Sequence, residues 1–168
     1  MRTLVLGFGN PGRLDDGLGP AVVEALRAYE LPGVTLDADY QLRVEDAAEI
    51  AGYDAVVFVD ASLVAQAPFE VERVLPEPDR RFSTHSVAPG ALLGVAETCF
   101  GARVPGWIVG VRGEVFDDYG EGLSPEAERN RDAAIKFLAS VLGKHRFDGA
   151  LADALEAQTQ PLKGAHHA

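Results

Sequence analysis

Apolar residues fall into short runs along this chain, separated by stretches with helical spacing, and the two kinds alternate. Leu4 to Gly7, Val34 to Asp37 and Ala55 to Val59 are brief, rich in Val and Leu, and bounded by Gly, Pro or Asp, as expected of short buried strands. The run Ala55-Val56-Val57-Phe58-Val59 is the most continuous of them and ends at Asp60, so it is the expected middle of a sheet. Phe69 to Leu75 alternates apolar with charged residues, which predicts a strand with one solvated face, at an edge or antiparallel. Trp107 to Val111 predicts one more buried strand.

Helices are expected at about Ala21 to Tyr29, Val44 to Ala51, Pro89 to Phe100 and Pro125 to Leu142. Ser124 stands before the last of these as a natural N-cap, with Pro125 in the first turn and Glu126 and Glu128 complementing the helix dipole. Past Gly143, Phe147 to Ala157 can form a further helix, and Thr159 to Ala168 reads as a frayed end. The pattern predicts a three-layer α/β/α domain over residues 1–145, built on a mostly parallel, five-stranded twisted sheet. Residues 146–168 are then a C-terminal helix and flexible tail, not a separate domain.

Composition narrows the functional classes. The chain has 168 residues, 47% of them hydrophobic, enough for one proper core. Lys and Arg number 15 against 26 Asp and Glu, a formal charge of −11, which repels phosphate backbones and anionic lipid, so neither nucleic acid nor membrane is an expected partner. A single cysteine, Cys99, excludes an internal disulfide, and its apolar helical setting predicts a buried structural thiol. Met1-Arg2 leads straight into a strand with no long apolar run, so the cytoplasm is the expected location.

The chemistry gathers first in the loop Gly7-Phe8-Gly9-Asn10-Pro11-Gly12-Arg13-Leu14-Asp15-Asp16-Gly17-Leu18-Gly19. Gly7, Gly9 and Gly12 fit the dinucleotide pattern G-x-G-x-x-G, and Asp37 lies about where a ribose-binding acid would. A phosphate site, however, needs a helix that starts at the third glycine with free amides. Pro11 removes one donor, Asp15 and Asp16 add negative charge, and Pro20 suits the first turn of a later helix. Ligands in such sheets gather beyond the carboxyl ends of the strands, which singles out Asp16, Asp60 and His85. Two carboxylates and an imidazole form a mixed oxygen and nitrogen set suited to a borderline divalent metal. Each has a plainer reading. Asp16 also reads as a turn former and His85 as support for the next helix, whereas Asp60, after five apolar residues, must reach solvent or meet a cation.

Together these residues resemble the maturation endopeptidases of nickel–iron hydrogenases. The resemblance rests on Gly7-x-Gly9-Asn10-x5-Asp16-Gly17-x-Gly19, on the strand ending in Asp60-Ala61, on Thr84-His85-x3-Pro89 and on Gly120-Glu121-Gly122-Leu123-Ser124-Pro125-Glu126, in order through about three quarters of the chain. It implies a protease that clips a C-terminal extension from a hydrogenase large-subunit precursor once nickel is installed. The nickel would be substrate-borne, bound through Asp16, Asp60 and His85, with no other cofactor and with the protease acting as a monomer. Cleavage would be metal-assisted or of aspartic type, with Asp16 or Asp60 as general base. Many relatives have Glu where this chain has Asp16, and the glycine-rich segment usual after the second strand is here Asp37-Ala38-Asp39-Tyr40. Asp37 and Gln41 are then candidates for substrate contact, and Glu45 for peptide contact or a solvated helix start. A non-hydrolytic nickel- or peptide-binding assembly chaperone is the alternative, with a dinucleotide-binding domain behind it.

Overall fold

A computed structural model describes residues 1–77, 87–144 and 150–159. Five strands form one sheet: β1 (Thr3–Phe8), β2 (Val34–Asp39), β3 (Ala55–Ser62), β4 (Phe69–Val74) and β5 (Gly106–Arg112). Their order is β2-β1-β3-β5-β4, parallel except for β4, which runs antiparallel to β5 at one edge. The helices are α1 (Leu18–Leu26), α2 (Asp46–Ile50), α3 (Pro89–Phe100), α4 (Pro125–Lys144) and α5 (Ala150–Gln158). The three-layer α/β/α architecture and the central place of the Ala55–Val59 run agree with the pattern of apolar residues. Among the described residues, no helix is long and apolar enough to cross a membrane.

Alternation along the strands sorts their side chains into two cores. Val5, Val57, Val59, Val71, Trp107, Val109 and Val111 pack with α1, α4 and Leu155 of α5. Leu4, Leu6, Val56 and Phe58 pack on the other face with Ala47 and Ile50 of α2 and Leu92, Leu93 and Ala96 of α3. Because successive side chains point to opposite faces, Phe8, Asp60 and Ile108 belong to this second face.

Three local expectations shift. Helix α1 starts at Leu18, earlier than the predicted Ala21, because a 3-10 turn at Leu14–Gly17 feeds directly into it. Strand β3 does not stop at Asp60; Asp60, Ala61 and Ser62 keep register with Gly110, Val111 and Arg112. Cys99 is exposed, not buried. Its helix buries Gly90, Leu92, Leu93 and Ala96, but Thr98, Cys99 and Phe100 lie in a last turn whose side chains are all exposed.

The entry to α1 is tight. A Cβ on Gly19 would stand 2.5 Å from the carbonyl oxygens of both Phe8 and Val59, so only glycine lets this helix close on the ends of β1 and β3. Gly19→Ala is expected to cost on the order of 3 kcal/mol in urea unfolding; a cost below about 1 kcal/mol would mean the helix is not packed this closely.

Candidate active site

Strand order reverses between β1 and β3: β1 leads through α1 to β2 on one side, while β3 and β5 extend the sheet on the other. Such a switch point opens a crevice at the carboxyl ends of its strands. A cleft of about 510 Å³ lies there, lined by Phe8, Gly9, Asp16, Gln41, Asp60 and Glu77 among others.

The glycine loop brings Asp16 to this cleft through hydrogen bonds of its own. Asn10 N–H donates to Asp16 Oδ2 at 2.9 Å, Gly12 N–H to Asn10 Oδ1 at 2.8 Å, and Arg13 N–H to the Asn10 carbonyl at 3.0 Å. Gly9 has φ 142°, and the Asp16 carbonyl lies where a Cβ would be, so the turn accepts no side chain there. Gly9 N–H is also engaged, by the Asp39 carbonyl at 3.1 Å. The amides a pyrophosphate would need are thus occupied by acceptors of this chain, one of them a carboxylate. The dinucleotide pattern serves chain packing here.

Asp60 reaches the cleft from inside β3. It is half-buried, and Ala61 N–H donates to its Oδ1 at 2.8 Å. Burial pushes its carboxyl up to about 7, opposed by the Ala61 amide and reinforced by the negative charge of Asp16. An acid poised near neutrality between its protonated and ionised forms is what proton transfer at physiological pH requires.

Gln41 lines the cleft with Asp16 and Asp60, whereas Asp37 is not among its lining residues. Asp37 is exposed on the edge strand, where its Oδ1 accepts the Ala38 N–H at 2.9 Å, and its charge helps to raise the carboxyl of Glu49 after the burial of that group. Glu45 lies just before α2 as the residue flanking its first turn. His85 falls outside the described residues, as do His145, His166 and His167. Among the described residues, no group of three His, Cys, Asp or Glu side chains is arranged to hold a metal ion.

Sequence reasoning missed two sets of acids. Glu77 lines the cleft. Glu70 and Glu72 line a smaller recess of about 190 Å³ that shares Asp60 with the cleft, because Asp60 and Glu70 both pair with Gly110 from its two sides. Their even spacing with Val74 placed them on one face, but only the register across β5 shows that this face is the one carrying Asp60. The second omission is Asp15. It is fully buried and saturated with donors: Ser124 N–H at 2.7 Å on Oδ1, and Glu114 N–H at 2.8 Å, Val115 N–H at 3.0 Å and the Ser124 hydroxyl at 2.7 Å on Oδ2. Burial alone would raise its carboxyl; these donors outweigh burial and hold it below the ordinary value. Ser124 also caps α4 as expected, accepting the Ala127 N–H on its hydroxyl at 3.2 Å.

No protein-family model and no curated protein matches the sequence. Solved structures do match. The hydrogenase maturating endopeptidase HybD from E. coli is 26% identical over 86% of this chain and 93% of its own, with a TM-score of 0.70. By structure, this chain is similar to the hydrogenase maturation proteases. Hydrogenase 2 maturation peptidase from a Thaumarchaeota archaeon is 25% identical over 86% of this chain and all 100% of its own, with a TM-score of 0.64. The NiFe hydrogenase maturation protease HycI from Thermococcus kodakarensis, 22% identical over 85% of this chain and 93% of its own, adds agreement in fold at a TM-score of 0.67. Each of these likenesses covers 85 or 86% of this chain.

Proposed function

We propose that this chain is an endopeptidase that removes the C-terminal extension of a nickel–iron hydrogenase large-subunit precursor after nickel insertion. It would work as a monomer in the cytoplasm, with the precursor's nickel as the recognition signal. The observation that carries this reading is the meeting of Asp16 and Asp60 at the switch point of a fold shared with the maturation proteases. Nickel belongs to the substrate in this reading. Carboxylate oxygens from Asp16 and Asp60 with a nitrogen from His85 suit a borderline cation already partly held by the precursor. Metal-gated recognition then needs no resident cofactor, and cleavage depends on metal loading because the unloaded precursor has nothing for the carboxylates to ligate.

The peptide bond is opened by water. Asp16 or Asp60, whichever carboxylate the cation leaves free, takes a proton from the attacking water and returns it to the leaving amine, while the other holds the metal-bearing segment against it. Gln41, on the cleft wall, contacts the bound peptide, whereas Asp37 stands outside the cleft on the exposed edge strand.

The test is the intact mass of a nickel-loaded precursor before and after incubation, with metal-free precursor as control. The expected result is loss of a C-terminal peptide from the loaded form alone, abolished by His85→Ala. An unchanged mass in a stable complex would overturn the protease reading and leave binding without hydrolysis. Equal cleavage of both precursors would remove nickel as the signal.

A further inference from the structure

We infer that Asp15 is a positioning residue: its buried carboxylate clamps the loop carrying Asp16 onto the segment Gly113–Ser124 and thereby fixes where the Asp16 carboxylate stands. The residues it joins are some hundred positions apart, yet the two segments are bonded at several points. Leu14 N–H donates to the Gly120 carbonyl at 3.0 Å, Gly120 N–H to the Gly12 carbonyl at 2.9 Å, and Asp15 N–H to the Val115 carbonyl at 3.1 Å. Within this frame the Asp15 side chain accepts two backbone amides from Glu114 and Val115 and both donors of Ser124. One donor falls on Oδ1 and three fall on Oδ2, so both carboxylate oxygens are engaged.

Leu14 supplies an independent sign that the loop is held by its surroundings. Its φ is 52°, a left-handed conformation that a leucine adopts at a cost. Strain of that kind, about 1–3 kcal/mol, survives only where neighbouring contacts over-determine the backbone. The Asp15 clamp supplies those contacts immediately before Asp16. Gly113 fits the same arrangement, since a Cβ there would stand 3.0 Å from the Asp15 Cβ. The role also accounts for the Gly120 to Ser124 part of the spaced motif, which lines neither the cleft nor the recess beside it.

The inference rests on the proposed function only for what Asp16 does, and two readouts separate the two ideas. The Asn10 amide donates to Asp16 Oδ2, so its proton resonance reports whether that carboxylate is in place; Asp16→Ala supplies the reference for its loss. Ser124→Ala removes one donor without removing the Asp15 charge, and Ser124→Thr keeps the hydroxyl. In Ser124→Ala the Asn10 proton is expected to move upfield toward its position in Asp16→Ala. Precursor processing is expected to lose about 10- to 100-fold in kcat with KM unchanged, the scale seen when an outer partner of an active group is removed. Ser124→Thr restores both. Asp15→Asn should show the same shift more strongly if it folds, because an amide offers only one acceptor oxygen to four donors. A Ser124→Ala protein that is less stable but keeps the Asn10 resonance and kcat would overturn the inference and leave Asp15 as a fold anchor. A shifted Asn10 resonance with unchanged processing would uphold the positioning of Asp16 and overturn its catalytic role.

Discussion

Asp60→Asn is expected to abolish precursor processing, by at least about 100-fold, because it removes the cleft group whose carboxyl is poised near neutrality to move a proton. The same substitution is expected to stabilise the protein, and the dependence on pH identifies the cause. In the folded chain burial keeps Asp60 protonated up to about pH 7. In the unfolded chain it ionises near the ordinary carboxyl value, so between these two the folded state binds more protons. Stability of the wild type must therefore fall as pH rises from about 4 to about 7, a loss on the order of 2–4 kcal/mol from this one group. Asn cannot ionise and lacks that slope. Thermal unfolding at pH 4, 6 and 8 should show the variant gaining on the wild type as pH rises. Parallel pH profiles, or normal processing, would remove Asp60 from the site.

Asp16→Asn should be nearly as damaging to processing, again about 100-fold or more, with the fold intact, since an amide oxygen can still accept the Asn10 N–H. Its diagnostic effect is on the neighbour. The negative charge of Asp16 helps to raise the Asp60 carboxyl, so neutralising it should let Asp60 titrate lower, toward the ordinary carboxyl range. Carbon-13 titration of the Asp60 carboxyl checks this directly. An unmoved Asp60 titration together with full processing would mean that the two acids do not act on one another, and the site would have to be sought elsewhere along the cleft.

What could be read from sequence was whatever depends on local pattern. Five apolar residues ahead of Asp60 announce a central strand, though not that it runs on through Asp60 to Ser62, and Pro89 to Phe100 and Pro125 onward carry their own start signals. The place of Asp16 at the cleft was legible because a glycine-rich turn after a strand lies where such sheets open their crevice. What was not legible depends on distant partners. The donors to Asp15 lie across a gap of about a hundred residues, so nothing near it distinguishes a saturated anchor from its exposed neighbours. Glu70 and Glu72 acquire meaning only through the pairing of β4 and β3 with Gly110. Cys99 was misread because periodicity gives the buried face of a helix but not how far that helix outruns the layer beneath it.

Strand β2 is an open edge of the sheet, and an open edge offers its outward amides to any extended chain that drifts past. Here the outward amides of Ala38 and Tyr40 are each closed off by the aspartate just before them, Asp37 Oδ1 at 2.9 Å and Asp39 Oδ1 at 2.7 Å. Such folded-back carboxylates act as a fence along that flank: an approaching strand meets negative charge where it would need a free donor. This end of the edge strand is thereby screened from pairing, and in the proposed reading the precursor's tail is met instead at the loop end, where Asp16 and Asp60 stand.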